Sequence, residues 1–196
     1  MRYKNLFFVF ILLVFISSCD KQMKEKNVYV MDTDHGNIYI EIYPDKAPKT
    51  CAAFIRNVAD GIFDNSSFYR IVKSENVPPK YDNGVIQGGI YESDIKLKQA
   101  LPFIQHEPPS MTGISHEAGT ISMARLAPGT AQSEFFICVG DQQQFDSSRS
   151  GNPDGLGYAA FGTVIKGYGV VKKIHQQKNI ADAFVRSVKI NSIRKL

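Results

Sequence analysis

The side chains that usually carry covalent chemistry do not stand in working patterns in this chain. There is no G-x-S-x-G elbow, no Cys-x-x-Cys, no H-E-x-x-H and no phosphate-binding loop. Of four histidines, His35 falls in a turn, His106 and His116 in an irregular stretch, and His175 near a helix end. No two of them have helical or finger spacing, so neither a metal nor a cofactor is expected. Cys51 and Cys138 read as small buried residues, one on a helix and one on a strand; the other reading is a pair formed in an oxidising compartment. Whatever chemistry the chain performs must come from groups held in position rather than from a nucleophile.

The stretch around which the rest is organised is Gly119 to Cys138, GTISMARLAPGTAQSEFFIC. Ile121 and Met123 alternate, Pro128-Gly129 breaks the run, and Phe135-Phe136-Ile137-Cys138 closes it, which reads as strand, loop, strand. Adjacent residues of a strand point to opposite faces, so one phenylalanine fills the core and the other needs a second apolar surface. Ser122, Met123 and Phe135 are read as barrel packing.

This stretch resembles the cyclophilin family of peptidyl-prolyl cis/trans isomerases. Three further pieces stand in the family's order: Phe68-Tyr69-Arg70-Ile71-Val72, Val85-Ile86-Gln87-Gly88-Gly89 and Ala160-Phe161-Gly162-Thr163-Val164. The likeness runs from about Val28 to Ile193. It implies a mainly β fold, a closed eight-stranded antiparallel barrel with a helix over each open end.

Prolyl isomerisation suits a chain without a nucleophile, since the barrier of ~18–20 kcal/mol is the amide resonance lost as the C–N bond twists. The twisted prolyl nitrogen regains a lone pair, and a fixed donor aimed at it binds the transition state better than either ground state. The resemblance implies that Arg70 is this donor, a permanently charged fork. It places Phe136 on the floor of the proline pocket, Val85 on its wall and Gln87 on the substrate backbone. Ala124 and Arg125 would present main-chain groups to the residue before proline, and Phe145 and Tyr158 complete the binding surface. A rate gain of ~10⁵ needs about 7 kcal/mol, more than one charge-assisted bond supplies, so a dry pocket and a held substrate backbone must contribute.

The chain departs from the family pattern at several points. Val85 stands for the usual methionine, Gly84 for the phenylalanine before it, Arg125 for an asparagine and Tyr158 for a histidine. The chain has no Trp, and Gln144 or Phe145 occupies the region of the family's pocket tryptophan. Many members bind cyclosporin across this groove through that indole, so weak inhibition is expected here.

The supporting elements follow from pattern. Ile38, Ile40 and Ile42 alternate with Tyr39, Glu41 and Tyr43 after Val28–Met31, a hairpin with one buried face. A helix opens at Ala47-Pro48, with Ala52, Ile55, Val58 and Ala59 as its apolar stripe and Gly61 as its stop. Strands are expected over 62–72, 85–90 and 158–165, and near Val188 and Ile190, with a second helix around Val170, Val171 and Ile174. Residues 74–84 read as a turn-rich loop, 102–116 as irregular, and 141–157 as a mobile surface loop with little to bury. Many short strands and two helices favour closure, which removes exposed edges.

Before this domain, residues 1–18 place Arg2 and Lys4 ahead of an apolar run from Leu6 to Ile16, the order of an export signal. Ile16-Ser17-Ser18-Cys19 resembles the lipobox of bacterial lipoproteins, which implies a lipidated Cys19 as mature N-terminus. Residues 19–27 form a polar tether whose eight residues after Cys19 reach at most about 30 Å. Residues 28–196 are then one domain. The chain carries +4; the signal holds Arg2 and Lys4 and no acid, so +2 remains, which is no nucleic-acid footprint. The expected partners are the membrane, through Cys19, and X-Pro segments of exported polypeptides, met by a monomer at the periplasmic face of the envelope. The alternative is a lipid-anchored module that binds proline-containing segments with little or no turnover. Retention of Arg70 favours the enzyme, because binding alone needs no donor over the prolyl nitrogen.

Overall fold

A computed structural model describes residues 27–73, 83–149 and 153–196; the signal stretch, Cys19, the tether up to Lys26 and loop residues 74–82 lie outside the described residues. The elements in chain order are β1 (Val28–Thr33), β2 (Gly36–Ile42), α1 (Pro48–Ala59), β3 (Ser66–Lys73), β4 (Gly84–Gly89), α2 (Ile95–Ala100), α3 (Pro109–Thr112), β5 (Thr120–Met123), β6 (Phe135–Val139), β7 (Ala159–Lys166), α4 (Tyr168–His175), β8 (Asn179–Ile180) and β9 (Ala183–Lys195). Neighbouring strands run β1-β2-β7-β5-β6-β4-β3-β9, and β9 pairs back onto β1, so eight strands close an antiparallel barrel. Strand β8 is a two-residue addition that folds back on β9.

Register sorts the side chains. Ile71, Ile86, Ile137 and Ile121 are cross-strand partners on β3, β4, β6 and β5, and all four are fully buried. One residue away on the same strands, Arg70, Gln87, Phe136 and Ser122 are partners in turn, and they point to the other face. Phe135 joins the interior, edge-on to Phe63 at 5.6 Å and to Phe68 at 5.9 Å.

Helix α1 carries Phe54 against Phe161 at 5.2 Å and against Phe63, which abuts the first residue of β6. Tyr168 of α4 accepts a hydrogen bond at its hydroxyl from the Gly140 N–H, just past the other end of β6. The two longer helices therefore close opposite ends of the barrel. The start of α1 has no capping side chain of its own, and the buried Glu107 carboxylate takes that role, accepting from the N–H groups of Lys49 and Thr50 and from the Thr50 hydroxyl.

Three expectations need correction. The buried face of α1 is Thr50, Cys51, Ala53, Phe54 and Asn57, whereas Ile55 and Ala52 look outward, because packing of Phe54 among the core aromatics sets the helix rotation. Two short helices join the two that were expected: α3 lies within the stretch read as irregular, and α2 just before it. Loop 141–157 is partly built in: a 3₁₀ turn covers Gln143–Phe145, Gln142 is buried, and Asp146 bonds to Ser115 and His116 ahead of β5. Cys51 and Cys138 are free and buried, and burial pushes the Cys51 thiol up to about 12.

Candidate active site

Strand β3 places two consecutive side chains on the outer face. Phe68 pairs with Gly88 and Arg70 with Gln87, leaving Tyr69 as an extra residue with no partner in the register. This β-bulge resets the alternation, so Phe68 and Ile71 point in while Tyr69 and Arg70 both reach the cleft outside the barrel. That cleft has a volume of about 670 Å³.

At one end the cleft is an aromatic cup. Phe136, Phe145 and Tyr158 stand nearly perpendicular to one another, with ring centres 5.3–5.6 Å apart. Val85, Val72 and Ala124 complete the apolar wall, in a cluster separate from the barrel core. Phe136 forms the floor, and beneath it the His116 ring lies nearly parallel at 5.8 Å. Gly84, in the place of the family's phenylalanine, has φ +143°, and a Cβ there would stand 1.9 Å from the Val72 carbonyl oxygen. The backbone at that point has room for glycine alone.

Arg70 stands at the rim with its side chain 46% exposed. One terminal nitrogen donates to Gln87 Oε1 at 3.1 Å and the other to Asp182 Oδ2 at 2.9 Å, in the turn between β8 and β9. The guanidinium is thus held from two sides at the edge of the cleft.

The floor is fixed from below. His116 is fully buried, with Nδ1 2.7 Å from Asp146 Oδ1 and Nε2 3.0 Å from Ser122 Oγ. Burial pushes its pKa down and the Asp146 bond opposes this without cancelling it, so the neutral ring donates to Asp146 and accepts from Ser122. Burial pushes the Asp146 carboxyl up, but hydrogen bonds from Ser115 and His116 outweigh it and hold the group below the usual carboxylate range. Ser122 therefore faces the cleft side, contrary to its reading as barrel packing, because it pairs with Phe136 and not Phe135.

The structure brings Arg70, Gln87, Val85, Phe136, Ala124, Arg125, Phe145 and Tyr158 around one cleft. Of the main-chain groups expected to meet substrate, one is already engaged within the protein. The Ala124 N–H is taken by the Glu134 carbonyl at 2.8 Å. The Arg125 side chain is 1% exposed, paired twice with Asp154 at 2.8 and 3.0 Å, donating to the Gly157 carbonyl at 2.7 Å and lying over the Tyr158 ring. It clamps the end of the 141–157 loop against the cup. Gln144 is exposed, while Phe145 is inside the cup. Sequence reasoning missed Tyr69, Glu134 and Asp182; the first two hid because a bulge and a buried carboxylate leave no periodic signal.

The arrangement suits chemistry in which nothing covalent changes. The three aromatics offer a surface against which an apolar ring can rest, and a permanent cation stands at the edge of the same cleft. Comparison with known proteins agrees with this geometry. The model of the cyclophilin type peptidyl-prolyl cis-trans isomerase family matches residues 28–195. The chain is 37% identical over 145 residues to a peptidyl-prolyl cis-trans isomerase of Acinetobacter baylyi, covering 74% of this chain and 69% of that one. It is 33% identical over 171 residues to peptidyl-prolyl cis-trans isomerase B of Escherichia coli, covering 81% and 96%. Its fold is similar to a crystal structure of a Cryptosporidium parvum cyclophilin type isomerase in the presence of the dipeptide Ala-Pro, with a TM-score of 0.66 at 19% identity, over 86% of this chain and 98% of that one. A barrel matched along its whole length by isomerases in both sequence and fold has one assignment: this chain belongs to the cyclophilin-type peptidyl-prolyl cis-trans isomerases.

Proposed function

We propose that this isomerase works at the bacterial cell envelope, anchored by a lipid on Cys19 and acting as a monomer on X-Pro bonds of exported polypeptides. Uncatalysed isomerisation takes tens to hundreds of seconds, long enough for an exported chain to aggregate before it folds. The proline ring enters the cup of Phe136, Phe145 and Tyr158 with Val85 beside it. The Arg70 guanidinium donates to the prolyl nitrogen as the bond twists, and Gln87 steadies both Arg70 and the substrate backbone. The observation that supports these roles is the doubly held guanidinium at the rim of an apolar aromatic cup. The envelope location is supported by the order of Arg2 and Lys4, the apolar run and Ile16-Ser17-Ser18-Cys19.

The test is fractionation of cells carrying the full chain or its Cys19→Ser variant, with cis-to-trans rates on an X-Pro peptide measured in each fraction. The expected result is activity that sediments with membranes for the wild type and a released or unprocessed protein for Cys19→Ser. Equal processing and membrane retention of Cys19→Ser overturns the anchor. A membrane-bound protein without rate acceleration overturns the enzyme and leaves the binding module.

A further inference from the structure

Arg70 Nη1 is the donor-only end of a hydrogen-bond chain that runs back into the protein. Gln87 Oε1 accepts from it at 3.1 Å, Gln87 Nε2 donates to the Tyr69 hydroxyl at 2.9 Å, and that hydroxyl donates to Glu134 Oε2 at 2.6 Å. Glu134 is 6% exposed, and its other oxygen accepts from the Ile90 N–H and the Ser133 hydroxyl, both at 3.0 Å. Room for the carboxylate comes from Gly89, where a Cβ would stand 2.5 Å from Oε2. The Tyr91 ring lies against Tyr69, tilted, with ring centres 5.6 Å apart.

A guanidinium can only donate and an ionised carboxylate can only accept. Between two such ends, the Tyr69 hydroxyl and the Gln87 amide have one consistent orientation. From this geometry we infer that Tyr69 and Glu134 are positioning residues for isomerisation: they fix which way the Gln87 amide faces and, through it, where the Arg70 guanidinium stands. The inference rests on Arg70 being the donor to the prolyl nitrogen.

Replacing Glu134 by glutamine keeps the shape and reverses the chain. The new amide must direct its oxygen to the Ile90 N–H and its NH₂ group to Tyr69. The Tyr69 hydroxyl then donates toward Gln87, whose amide turns over and sets donor against donor at Arg70. Protonation of Glu134 acts in the same sense, because a neutral acid no longer imposes the direction. Burial raises the Glu134 pKa, with the bonds from Tyr69 and Ser133, the Lys98 charge and the Ile90 N–H opposing. Facing the chain are Tyr69 and Arg70 from β3, Lys98 from α2 and Asp182 from the β8–β9 turn. A carboxyl with a raised folded pKa stabilises the fold most when protonated, and that stability is lost as pH rises through the folded pKa. Activity moves the opposite way over the same window, so this carboxylate is held where its ionisation costs stability and orders the site.

The experiment measures kcat and KM on an X-Pro peptide from about pH 5 to 8, together with Tm, for the wild type, Tyr69→Phe, Glu134→Gln, the pair, and Arg70→Ala alone and combined with Glu134→Gln. Each single relay variant is expected to lose about three- to tenfold, mainly in kcat. Glu134→Gln should flatten the acid limb while keeping or raising Tm at neutral pH. The double variant should lose no more than the worse single one, and Glu134→Gln should change nothing further in the Arg70→Ala background. Wild-type rate and acid limb in Glu134→Gln, or fully multiplicative losses in the double variant, overturn the relay; should Glu134→Gln fail to fold, wild-type kcat in Tyr69→Phe does so alone. Full activity of Arg70→Ala is a different failure, one that removes the Arg70 role itself.

Discussion

Two rows of side chains one residue apart on the same four strands have opposite characters. The row of Ile71, Ile86, Ile137 and Ile121 is aliphatic and sealed, and it needs no polar partner. The row of Arg70, Gln87, Phe136 and Ser122 is polar except for its aromatic floor, and each polar member is held by a side chain from outside the row: Asp182, Tyr69 and His116. The first row is indifferent to orientation, since dispersion and burial have no direction. The second depends on the direction of every hydrogen bond. The pleat of the sheet thus parts a sealed row from a cleft row, with the bulge in β3 setting Arg70 on the cleft side.

The largest effect that tests this separation is in the pair Phe135 and Phe136. Phe135→Ala should cost about 3–5 kcal/mol in urea unfolding while molecules still folded at low temperature keep their kcat/KM within about twofold. Phe136→Ala should cost less stability and lower kcat/KM at least about tenfold, so equal stability losses with equal activities would erase the distinction. Next, Arg70→Ala and Arg70→Lys should both slow isomerisation at least about tenfold, ~1.4 kcal/mol, with an unchanged Tm, because lysine lacks the fork. A folded Arg70→Ala protein with full turnover would break the outer row's claim.

A smaller effect sharpens the comparison through pH. His116 is neutral in the fold and takes up a proton on unfolding, so its stability contribution is complete above the ordinary imidazole value of 6.5 and is lost as pH falls below it. The Tm should drop on acidification, and His116→Gln should flatten that slope. The smallest effect concerns cyclosporin. The unmodified protein should be poorly inhibited, and Gln144→Trp should strengthen inhibition by about tenfold or less, since Gln144 is the exposed neighbour of the cup and Phe145 is already part of it. Tight inhibition without the substitution would show that the cup itself supplies the missing surface.

Much of the inner row was legible because alternation is its cause: Ile38, Ile40 and Ile42 all point inward, and Phe135 and Phe136 part to opposite faces as the pleat requires. The outer row was legible through motifs alone, since Arg70 by strict alternation shares a face with Phe68, and the bulge that separates them has no composition signal. Ser122 was assigned to the wrong side because Ser fits either face of a strand. The face of α1 was misjudged because Phe54 sits between two plausible stripes and aromatic packing decided the matter. Asp146 and Asp154 looked like loop polarity, yet one orients His116 and the other pairs with a buried arginine, partners 30 and 29 residues distant that no local pattern reveals.

The pairing of the first strand with the last has a consequence for how the chain becomes a protein. Tyr29 lies opposite Lys195, and the Leu196 N–H reaches the Val28 carbonyl at 2.9 Å. A polypeptide delivered N-terminus first therefore emerges with β1 and β3 both waiting for β9, the strand they flank, and it cannot seal the barrel until its last dozen residues arrive. Premature closure is impossible by topology, and a truncation at the C-terminus leaves two open sheet edges rather than a slightly shorter enzyme.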